Sequence, residues 1–138
     1  MVDHLRTAYP IEGCGVLVGK KTPEGALEID RAVGTRNAEI QRGTDRYTIE
    51  PLDFLAIERE LDKRQDGSRI VGFFHSHPDA PARPSSTDLE MAQGLVDVTQ
   101  EFYIYAIVNI EKDTIGEIKF WQLSDDGKKF IQIQISKP

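Results

Sequence analysis

Residues 69–88 read RIVGFFHSHPDAPARPSSTD. Arg69 to His77 is largely apolar and rich in β-branched and aromatic residues, as a central strand is. Three prolines in the seven positions 78–84 then exclude both helix and ladder, so a stiff loop follows. A helix starts near Ser86 and runs to about Val98. Ser86 or Thr87 is its expected cap, and Thr87 with Glu90 has the spacing of a capping box. Successive strand residues point to opposite faces, so His75 and His77 share one face while Ser76 lies on the other, where it is expected to brace the loop. Two imidazoles at i and i+2 on a strand end can grip a single ion. Asp88, in the first turn of the next helix, is directed back toward them. Neutral imidazole and carboxylate are zinc donors, and three protein donors leave a fourth tetrahedral corner for water, which marks a catalytic rather than a structural zinc.

Working outward, residues 2–9 read as a short helix stopped by Pro10, the end of an amphipathic helix whose earlier turns are expected upstream. Gly13–Gly19 is a buried strand. Thr22–Gly25 is a turn and Ala26–Thr35 the returning strand. Arg46–Ile49 is a short extended piece. Pro51 then opens a helix to about Arg64, with Leu52, Leu55, Ala56 and Leu61 as its apolar face, Phe54 and Ile57 beside them, and Asp66-Gly67 as the stop. Glu101–Asn109 is a strand, and Thr114–Leu123 and Lys128–Ser136 close a hairpin around Asp126-Gly127. Helices mixed with hairpins predict an α/β (α+β mixed) fold, a curved mixed sheet flanked by helices rather than a doubly wound parallel sheet.

The chain has 138 residues, which suits a single domain spanning 1–138. Seventeen basic against 23 acidic residues give a net charge of −6, so there is no basic footprint for nucleic acid and no cationic membrane surface. No stretch approaches the ~20 apolar residues of a membrane span, and MVDHLRTAYP lacks the apolar region of a secretion signal. Cys14 is the one cysteine, so no internal disulfide forms, and the cytoplasm is the expected compartment. Cys14 reads as a small buried hydrophobe, Arg83 as a solvated loop residue, and His4 as a surface residue of the first helix. Phe102, Phe120 and Trp121 read as core or strand-face packing.

His75-Ser-His77, seven residues, Ser85, two residues, Asp88 resembles the signature of the JAMM metalloproteases, the zinc-binding branch of the MPN (Mov34/PAD-1) family. That signature also carries an upstream glutamate before an apolar strand. YPIEGCGVLVG supplies Glu12 in the matching place, and the resemblance runs from Tyr9 to about Trp121. It is nearest to the short stand-alone bacterial members. The resemblance implies an MPN fold, related to that of the cytidine deaminases. It also implies Zn²⁺ held by His75, His77 and Asp88, Glu12 as general base, and Ser85 as donor to the oxyanion.

The family's substrates are ubiquitin and ubiquitin-like β-grasp proteins with a C-terminal Gly-Gly. The implied function is therefore a zinc isopeptidase or peptidase cutting after that tail, with a ThiS/MoaD-like sulfur carrier as the favoured partner. Eukaryotic deubiquitinating members carry two insertions for which this chain is too short, which counts against tight linkage-specific deubiquitination. A non-catalytic MPN scaffold is an alternative, although such members usually lack ligands that this chain keeps. A phage-tail or cell-wall peptidase is another. A zinc deaminase would need H-x-E and P-C-x-x-C, and neither occurs.

Overall fold

Strand β3 (Arg69–Pro78) sits inside a six-stranded sheet, between β1 (Cys14–Lys21) and β4 (Ile104–Ile110). Beyond β1 lies β2 (Leu27–Thr35), and beyond β4 lie β5 (Ile115–Leu123) and then β6 (Phe130–Ile133). The computed structural model describes residues 1–39, 47–112 and 114–135. Strands β3 and β4 run parallel, joined through helix α3 (Ser86–Thr99), and the other neighbours are antiparallel. The sheet is thus mixed, and register shifts in β1 and β4 bend it as bulges do.

Strand alternation sorts the core into two layers. On one face, Leu5 of helix α1 (Val2–Ala8) clusters with Leu17, Phe74, Ala106 and Val108. On the other, Ile57 and Leu61 of helix α2 (Pro51–Arg64) and Ala92 of α3 cluster with Val16, Val18, Phe73 and Tyr105. Phe73, His75 and His77 share the parity of this second face, so the histidines emerge beneath α3. Helix α2 starts where expected, with Pro51 in its first turn and Glu50 as cap. Arg36, just past β2, clamps it through a two-pronged ion pair to Asp53 at 2.9 and 3.1 Å. No helix among the described residues is long and apolar enough to cross a membrane.

Several expectations are corrected. The buried face of α2 is Phe54, Ile57 and Leu61, while Leu52 and Leu55 are 68% and 41% exposed. Strand β4 begins at Ile104 rather than Glu101, because Gln100 takes a left-handed cap (φ 62°) and turns the chain. Phe102 is left 40% exposed in that connection instead of packed. Strand β6 starts only at Phe130, since the Asp126 carboxylate accepts from Ser124 Oγ and Lys128 N and widens the turn. Ser136, the expected end of that strand, lies outside the described residues, as does Arg46. At the end of the short extended piece, Ile49 bridges Asn37.

His4 is half-buried rather than a free surface residue. Its Nε2 lies 2.9 Å from Cys14 O and 3.0 Å from Thr35 O, and its ring meets Phe74 edge-on. It ties α1 to β1 and β2 close to Glu12.

Candidate metal centre

His75 and His77 close strand β3, 1% and 8% exposed, with their Nε2 atoms 3.1 Å apart. Asp88 reaches them from the first turn of α3: Oδ1 is 3.3 Å from His75 Nε2 and Oδ2 is 3.0 Å from His77 Nε2. Donors held 2.0–2.1 Å from a tetrahedral zinc lie about 3.3 Å from one another. The two imidazole nitrogens are at that spacing, and each has a different oxygen of the Asp88 carboxylate at a similar distance, so the three side chains converge on one point. Burial pushes the Asp88 carboxyl up, but the two imidazoles outweigh it and hold the group well below the usual carboxylate range. Burial draws His75 down. It draws His77 down as well, yet Asp88 and the Pro81 carbonyl together leave His77 raised.

The start of α3 differs from the expected pairing of Thr87 with Glu90. Ser85 is the cap: its Oγ accepts from Asp88 N at 3.1 Å, and Ser85 N donates to Asp88 Oδ2 at 2.9 Å. One carboxylate thus closes the capping box and faces both histidines. Ser85 is exposed, and its hydroxyl proton remains to donate elsewhere.

The proline loop is pinned through three successive carbonyls. Asn109 of β4 donates to Ala80 O at 2.6 Å, His77 Nδ1 to Pro81 O at 2.8 Å, and Trp121 of β5 to Ala82 O at 3.2 Å. The middle bond fixes the tautomer that leaves His77 Nε2 free to ligate. Trp121 thus anchors the loop in addition to packing, and Asn109 is a residue that sequence reasoning missed. Arg83 is exposed.

Glu12 precedes β1 and is 5% exposed. A carboxylate oxygen of Glu12 and one nitrogen each of His75 and His77 lie within 4.8 Å of one another. Two triads therefore share the histidines, one completed by Asp88 and one by Glu12. The Glu12 backbone is held on both sides. Asn37 Nδ2 donates to Glu12 O at 3.0 Å, and Ser76 Oγ accepts from Gly13 N at 2.8 Å. Ser76, expected to brace the loop, braces this glutamate instead.

Cys14 is fully buried beside Thr35, and burial pushes its thiol up from 9.0 to about 11. At pH 8 its thiolate fraction is about 100-fold below that of an ordinary cysteine. Reaction with an aromatic disulfide reagent is expected to be correspondingly slow with or without zinc. Rapid labelling of folded protein would reveal a reactive thiol.

A cavity of about 410 Å³ opens beside His75 and Asp88, with Ile49, Phe54, Phe73, Met91 and Tyr105 among its walls. It lies between α2 and α3 over the sheet and is mainly apolar.

The family model for prokaryotic homologs of the JAB domain matches residues 1–124. A CysO-cysteine peptidase of Mycobacterium tuberculosis is 29% identical over 125 residues, 91% of this chain and 77% of that protein. A desampylase of Pyrococcus furiosus is 31% identical over 118 residues, 86% of this chain and 71% of its own length. The solution structure of a Desulfitobacterium hafniense protein superposes with a TM-score of 0.74 at 27% identity, covering 99% of this chain and 84% of that one.

Proposed function

The chain belongs to the family of prokaryotic JAB-domain proteins, and from that premise we propose that it is a zinc-dependent peptidase or isopeptidase. Its substrate in this reading is the amide bond after the Gly-Gly tail of a ubiquitin-like β-grasp protein, with a sulfur carrier favoured. The observation that carries the reading is the convergence of His75, His77 and Asp88, whose nitrogens and carboxylate oxygens approach one another at 3.0–3.3 Å with Glu12 nearby. The relatives named above, a CysO-cysteine peptidase and a desampylase, support the substrate class. The cytoplasm is the proposed working compartment, on the strength of the lone cysteine.

Bound zinc would supply a Lewis acid and lower the pKa of its water to about 7. The chain's own groups do the rest. Glu12 accepts a proton from the attacking water and passes it to the leaving amine, work worth ~10²–10⁴-fold in rate. The Ser85 hydroxyl, already an acceptor for Asp88 N, donates to the oxygen of the carbonyl under attack. The apolar cavity gives the extended tail a dry wall. Glycines at the end of that tail let its backbone approach the buried donors with no side chain in the way.

The test is mass spectrometry of Gly-Gly-tailed carriers extended at the C-terminus, incubated with protein and zinc. Loss of the extension is expected, abolished by a chelator and restored by zinc. A folded protein that takes up no zinc and trims no carrier would turn the reading to the non-catalytic scaffold.

A further inference from the structure

Ligating imidazoles are ordinarily oriented by a hydrogen bond at the second ring nitrogen. His77 has one, to Pro81 O. His75 does not: its Nδ1 is buried with no hydrogen-bond partner among the described residues. What lies against the His75 ring is Tyr47, stacked with centroids 4.5 Å apart and planes 25° apart. Tyr47 is itself buried, 7% exposed, so water does not compete for that ring face.

The backbone beside Tyr47 is fixed. Ala38 N donates to Thr48 O at 2.7 Å, Thr48 N donates to Asn37 Oδ1 at 3.0 Å, and Thr48 Oγ1 donates to Glu39 Oε1 at 2.9 Å. The same Asn37 side chain holds the Glu12 carbonyl. The tyrosine ring is thereby referenced to the segment that carries Glu12.

We propose that Tyr47 is a positioning residue for His75, its ring face setting the imidazole plane that a hydrogen bond sets at His77. The inference rests on His75 being a zinc ligand. It assigns the work to the aromatic face and none to the phenol oxygen. Phenylalanine should therefore substitute, and an aliphatic side chain should not.

The experiment compares Tyr47→Phe, Tyr47→Leu and His75→Ala. Zinc affinity is read by competition with a chromophoric chelator, and ligand geometry by the visible spectrum of the Co²⁺ form. Tyr47 also lines the cavity, so activity alone would not separate positioning from substrate contact. Tyr47→Phe is expected to stay within about 2-fold of the parent with an unchanged Co²⁺ spectrum. Tyr47→Leu is expected to bind zinc roughly 10-fold more weakly, with altered bands. A folded Tyr47→Leu that binds zinc like the parent overturns the proposal. If Tyr47→Leu does not fold, the parent and Tyr47→Phe still decide. The carbon-bound ring protons of His75 should resonate upfield from a stacked aromatic face in both proteins, and ordinary shifts would overturn the proposal. His75→Ala keeps the two questions apart. Undiminished zinc binding there removes the ligand reading. Loss there with retention in Tyr47→Leu removes only the positioning role.

Discussion

Glu12→Gln should bind zinc as the parent does and lose roughly 10²–10⁴-fold in turnover. Glutamine keeps the shape of the side chain, and the backbone anchors from Asn37 and Ser76 do not depend on its charge. What it loses is the capacity to take a proton. The expected result is stoichiometric zinc by elemental analysis, an unchanged melting temperature and a collapsed kcat on a Gly-Gly-tailed carrier. Full activity would mean that another group is the base. Loss of zinc would mean that Glu12 ligates, as its place within 4.8 Å of both histidine nitrogens geometrically permits.

Asp88→Asn separates those two triads from the other side. The Asp88 carboxylate meets His75 and His77 at 3.3 and 3.0 Å and accepts Ser85 N at 2.9 Å. Asparagine has one oxygen for all of these and no charge to set against a divalent cation. Zinc affinity is expected to fall at least ~100-fold, the upper end of what loss of even a supporting partner costs, and activity at stoichiometric zinc to vanish. The Ser85 cap on the Asp88 backbone N–H survives, so urea unfolding should show at most about 1 kcal/mol of instability, the worth of one weakened hydrogen bond. Zinc binding within a few-fold of the parent would assign the third ligand to Glu12.

The stretch around His75 was legible because its information is local. Strand parity puts His75 and His77 on one face, and the prolines and the helix start return the chain to them within eleven residues, 77 to 88. The sheet was legible for the same reason, from apolar runs set off by turns. What stayed hidden depends on side chains far apart in sequence. Asn109 and Trp121 lie 29 and 39 residues from the carbonyls they grip. Tyr47 and Asn37 enter from a connection with no periodic pattern. His4 was misread because a histidine in a short amphipathic helix gives no sign of the two carbonyls it will meet. The capping residue was misassigned because Ser85, Ser86 and Thr87 are equally suited by type. The choice falls to Ser85 through the Asp88 carboxylate three residues on.

Three adjacent peptide oxygens of the proline loop are each tethered to a different strand of one rigid sheet. Little freedom is then left to widen the nest or to bring in further oxygens. Ions that insist on six or more hard ligands, as magnesium and calcium do, find a seat cut to the wrong shape. In the proposed zinc site, discrimination against those abundant rivals would then come from the frame that holds the three side chains.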